Sequence, residues 1–113
     1  MKYLMFVCRD KSIEFSAQDR AGIGPDVEAW VAEMEGRGVR LQGHTLAPVD
    51  STAAVRVRHG ELLVTLGPLV ETNEPVSGFN LLECADLDEA IEVSAKHPIA
   101  RFGTIELRPF AEG

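Results

Sequence analysis

Two β-α-β patterns flanking a β-hairpin, a helical stripe in each pattern, and an opening strand apolar on both faces predict an α+β fold. The arrangement expected is a ferredoxin-like sandwich with an inserted β-hairpin, two helices lying on one face of a mostly antiparallel sheet. The chain has 113 residues, 45% apolar and 26% charged, which suits a single domain over residues 1–113.

The first strand is read at Lys2–Cys8, apolar without a break from Tyr3 to Val7. Pro25 is expected to open the first helix, with Asp26 and Glu28 at its positive end. Val27, Trp30, Val31 and Met34 then form its apolar stripe, and Gly36 and Gly38 end it. Val39–Leu46 alternates as a strand, with Val39, Leu41, Gly43 and Thr45 on the helix side. That places Arg40, Gln42, His44 and Leu46 on the other. Strands at Ala53–Arg58 and Leu62–Leu66 are joined by a tight turn at His59-Gly60. After an ordered loop, Gly78–Cys84 is the next strand. Asp86 caps the second helix, with Glu89 in the capping-box position and Leu87, Ala90, Ile91 and Ala95 as its stripe. Lys96, His97 and Pro98 close it, His97 being read as a cation at the helix C-terminus. Gly103–Arg108 is the last strand. Two helices cover only one sheet face, yet strand 1 is apolar on both: Leu4 and Phe6 on one side, Tyr3, Met5 and Val7 on the other. A second copy packed sheet to sheet covers the remainder, so a homodimer is expected.

Charge and composition exclude several classes of function. With 11 basic and 18 acidic residues the net charge is −7, so the basic footprint of a nucleic-acid binder is missing. No apolar run is long enough for a membrane span, and the N-terminal apolar stretch, cut by Arg9-Asp10-Lys11, does not read as a signal peptide. Cys8 and Cys84 sit inside apolar runs and read as buried, reduced thiols of a cytoplasmic protein. The three histidines are far apart and neither cysteine has a partner at ligand spacing, so no metal is expected. Neither a phosphate-cradling glycine loop nor a serine nucleophile elbow is present, and no organic cofactor is implied.

Leu66–Glu74 reads LGPLVETNE. This resembles the signature of the YCII-related (DGPF-type) family, D-G-P-F followed by A-E-T-K-E. The likeness continues in the M-K-Y-L opening, in the G-V-x-L-x-G segment at Gly38–Gly43, and in Leu46-Ala47-Pro48. It extends to Asp86-Leu87-Asp88-Glu89-Ala90 and Ile105-Glu106-Leu107-Arg108-Pro109, over nearly the whole chain. The resemblance implies a dimeric α+β barrel with ferredoxin-like protomers. Some relatives, similar to muconolactone-isomerase-type proteins, carry a proposed His/Asp pair. Those positions fall near Val27 and Gly36 here, so the pair is not carried over. Leu66 and Leu69 also replace the signature's Asp and Phe.

Candidate catalytic residues are His44, as a base near neutral pH, and Glu71 of the motif loop. Glu74, Arg101 and Arg108 are candidate ligand-binding residues, the arginines as bidentate donors to an anion. Each has a structural alternative. Glu71 can brace its own loop, His44 can face solvent, and the arginines can sit in ion pairs. His59 is a turn residue. Two functions therefore remain open. One is a cofactor-independent enzyme acting by proton transfer on a small anionic or aromatic metabolite in a dimer-barrel pocket. The other is a non-catalytic ligand-binding or regulatory accessory module, of the sigma-factor-associated type that the family resemblance implies.

Overall fold

Strand β1 (Lys2–Arg9) is the centre of the architecture. The computed structural model of the protein describes residues 1–111, so the last two residues of the expected domain lie outside the described residues. Helix α1 (Ala17–Gly36) and strand β2 (Arg40–Thr45) follow β1, and then β3 (Ala53–Arg58), β4 (Glu61–Leu66) and β5 (Val76–Glu83). Helix α2 (Leu87–Ala95) and strand β6 (Gly103–Pro109) complete the order. β1 pairs antiparallel with β5 on one side and β6 on the other, and β2 adds to β5, giving the sheet order β2-β5-β1-β6. β3 and β4 form a separate two-stranded sheet. The fold is therefore the expected ferredoxin-like α+β sandwich with an inserted hairpin.

Strand alternation sorts the core. Tyr3, Met5 and Val7 of β1 and Leu82 of β5 are buried beneath the helices, against Trp30 and Met34 of α1 and Val93 of α2. Leu4, Phe6, Phe79 and Leu81 point to the opposite, open face and are only half-buried. The hairpin turn at His59 (φ 52°) and Gly60 (φ 76°) has two successive residues in the left-handed region, as a tight two-residue turn requires. No helix among the described residues is long and apolar enough to cross a membrane.

The elements depart from the sequence reading at three places. Helix α1 starts eight residues before Pro25. Ser16 and Asp19 form a reciprocal capping box, with bonds of 3.0 and 2.9 Å, which nucleates the helix upstream and carries Pro25 inside it. Its end is as expected: Gly38 (φ 71°) is left-handed, and the Val39 N–H closes on Met34 O at 2.9 Å. In β2 the register with β5 slips between Arg40 and Gln42. This bulge puts Arg40 on the helix side, opposite buried Leu82, while Gln42 and His44 stay on the open face. The expected placement of Arg40 with His44 is thus corrected. In α2 the buried positions are Ala90, Val93 and Ser94, whereas Leu87 and Ile91 are exposed. The helix is rolled by its ties to α1: Trp30 Nε1–H donates to Val93 O at 3.0 Å, and Arg37 grips Glu92 through two bonds of 3.1 and 2.7 Å.

Candidate functional site

The α1 stripe and the sheet do not close completely, leaving a cleft of about 330 Å³ between them. Val27, Trp30 and Val31 form its apolar wall, with Val7 and Ile99 opposite. Six polar side chains line it: Arg40, His44, Thr45, Ser77, Asn80 and His97. Ser77 spends its hydroxyl on Val7 O, and exposed His44 and Thr45 sit at the margin. Arg40, Asn80 and His97 form the polar set described next.

Arg40 is there because of the β2 bulge. Its side chain is 14% exposed, Nε donates to Asn80 Oδ1 at 2.8 Å, and Nη1 lies 3.6 Å from Glu35 Oε2 at the rim. Asn80 is buried on β5 and uses its amide oxygen on Arg40, which leaves its NH2 as a donor. Gly43 makes room for the pair. A Cβ there would collide with the Asn80 amide oxygen, the Arg40 guanidinium and the Phe79 carbonyl.

His97 is buried at 4% exposure and stands edge-on to the Trp30 ring, 4.7 Å between centroids. Its Nδ1 accepts from the Ile99 N–H at 3.1 Å, capping the 3-10 turn Pro98–Arg101. Burial pushes its pKa down to about 4. The ring is therefore neutral near pH 7, and with Nδ1 engaged as acceptor the proton sits on Nε2. This overturns the reading of His97 as a helix-end cation. The signal lay in Pro98: the residue before proline is held extended, here φ −69° and ψ 131°, so His97 leaves the helix and turns inward.

The sequence candidates are dispersed. His44 borders the cleft from β2, but its register partner is Phe79 and the two rings lie 5.8 Å apart, on the open face. Glu71 and Glu74 lie elsewhere, in an open groove of about 1000 Å³ formed by the motif loop, Lys11 and Leu46. There Glu71 is exposed, while Glu74 accepts from Thr104 Oγ at 2.6 Å and ties the loop to β6. Arg101 is exposed, 3.7 Å from Asp26 Oδ2, with its guanidinium 5.5 Å from the Phe102 ring. Arg108 is exposed on β6, opposite Leu4 on the open face. His44 thus shares a cleft with Arg40, Asn80 and His97 and not with either glutamate.

Comparisons with known proteins bear on this geometry. A model of the YCII-related domain matches residues 1–112. An uncharacterized protein of Rhizobium meliloti (strain 1021) is 44% identical over 69 residues, a match covering 56% of this chain and 54% of the relative. The chain thus spans about half the length of that curated relative. Among solved structures, the chain is similar to a 5-chloro-2-hydroxyhydroquinone dehydrochlorinase from Burkholderia phenoliruptrix AC1100, determined in complex with 2,5-dihydroxybenzoquinone. The TM-score is 0.58 at 13% identity, over 100% of this chain and 96% of that one. At that identity the likeness is one of fold.

Proposed function

The chain belongs to the YCII-related family, and we propose that it binds a small, planar, anionic metabolite in the cleft between α1 and the sheet. One observation carries the reading: three donor groups, on Arg40, Asn80 and His97, share this cleft with an apolar wall. The Arg40 guanidinium supplies positive charge and a planar fork, the Asn80 NH2 and the His97 Nε2–H add neutral donors, and Trp30, Val27 and Val31 supply the flat apolar surface. The bound quinone of the dehydrochlorinase belongs to that chemical class.

The same donors support a catalytic version. A cation and fixed neutral donors stabilise an oxyanion as it develops on an enol or phenol. His97 acts there as a donor, since a ring with pKa about 4 and an occupied Nδ1 is a poor base. The base in this version is His44, whose ring borders the cleft, and the open face that carries it is covered by a second copy of the chain. Glu71, Glu74, Arg101 and Arg108 lie outside the donor set and take supporting roles at most. The buried free thiols of Cys8 and Cys84 fit a reducing cytoplasm.

Calorimetric titration with benzoates and hydroxyquinones, each beside a neutral analogue, tests the reading. Binding of the anions that weakens about tenfold or more in Arg40→Gln supports it, and equal binding of neutral and anionic probes refutes it. Loss of turnover with retained binding in His44→Gln separates the catalytic version from the binding one.

A further inference from the structure

We infer that the apolar face of the β3–β4 hairpin is an arm that packs on a second copy of this chain. This deepens the dimer reading given above and adds a surface that reading did not contain.

Cross-strand partners share a face, and the pairs Val55–Val64, Val57–Leu62 and Ala53–Leu66 put a run of aliphatic side chains on one side of the hairpin. Val55, Val57, Leu62, Val64 and Leu66 are 57–82% exposed. Arg56, Arg58, Glu61 and Thr65 occupy the other side, together with Ala54 and Leu63. A hairpin with one wholly aliphatic and one mostly polar face is built to pack on something, and a lone two-stranded hairpin is marginal in water. β3 and β4 pair only with each other. The arm projects: the radius of gyration is 16.1 Å, against about 13 Å for a compact domain of this length.

Area identifies the occupant. The hairpin face offers on the order of 500 Å², less than the ~800 Å² per partner of a standard interface. In a two-fold dimer each copy both gives its hairpin and receives the other's, which roughly doubles the area per partner and clears that size. A second copy also covers the half-buried Leu4, Phe6, Phe79 and Leu81 of the open sheet face, another unpartnered apolar surface.

Sedimentation velocity over micromolar concentrations is the test. The wild type should run at twice the 12.3 kDa chain mass. Val57→Glu and Leu62→Glu should weaken association at least roughly 100-fold, as expected for a charge buried in an apolar interface, whereas Arg56→Glu on the polar side should not. Trp30 fluorescence reports that the core stays folded in each variant. In the wild type, hydrogen exchange at the β3 and β4 amides should slow with rising concentration, which checks the arm without any substitution. A wild-type monomer overturns the dimer and the arm together. A wild-type dimer that tolerates Val57→Glu and Leu62→Glu, or hairpin amides indifferent to concentration, overturns the arm alone.

Discussion

The cleft beneath α1 and the groove beneath the motif loop offer ligands opposite chemistry. The first is small and walled by Val27, Trp30 and Val31, with Arg40, Asn80 and His97 as its donors. The second is three times larger and open, and Asp50, Glu71 and Glu74 outnumber its single Lys11. The residues that a linear motif flags lie in the second. The donors of the proposed anion site lie in the first, contributed by β2, β5 and the turn after α2. A signature in the sequence therefore marks membership of the family, while the proposed site is assembled from positions that carry no signature.

The largest effect that separates the two regions concerns stability. Trp30→Ala removes the cleft wall and the bond to Val93 O, and should cost about 3–5 kcal/mol in chemical denaturation. Leu69→Ala in the groove wall, 67% exposed, should stay within about 0.5 kcal/mol. Similar costs at the two sites would break the contrast.

Acid comes next. His97 titrates below its ordinary value in the folded state, so between its folded pKa of about 4 and the ordinary 6.5 the unfolded chain binds more protons. Stability should be complete above about pH 6.5 and decline as pH falls toward 4, by up to about 3 kcal/mol. His97→Gln should flatten that part of the profile, measured by urea midpoints across pH.

A binding effect follows. Arg40→Gln should reduce affinity for planar anions by about 1.5–3 kcal/mol, the usual worth of a hydrogen bond to a charged group. Glu71→Gln should leave it unchanged. The smallest effect is kinetic: burial first, and then neighbouring carboxylates, raise the Cys8 thiol pKa, and burial does the same for Cys84. Both should label slowly in the native protein and fast in denaturant.

The fold was legible where local rules act alone. The alternation of Tyr3 to Val7, the Asp86 cap, the His59-Gly60 turn and Gly38 past the end of α1 were read correctly because each is set by its own backbone requirement. The site was not, because it depends on events between distant segments. Arg40 reaches the cleft only through a one-residue slip against β5, which reverses the side of the sheet assigned by alternation. His97 reaches it because Pro98 turns the chain, and Asn80 matters only once Arg40 is beside it. Gly43 was the overlooked clue, a glycine inside a strand that marks a close approach.

Trp30 is the chain's one tryptophan and forms the wall of the cleft, so its fluorescence reads that site directly. Titration of the wild type, Arg40→Gln and Glu71→Gln with benzoate, followed at Trp30, is the most direct test of where an anion binds. A saturable change is expected in the wild type and in Glu71→Gln, weakened about tenfold or more in Arg40→Gln. A change that survives Arg40→Gln undiminished, or that disappears in Glu71→Gln, would contradict the proposed site.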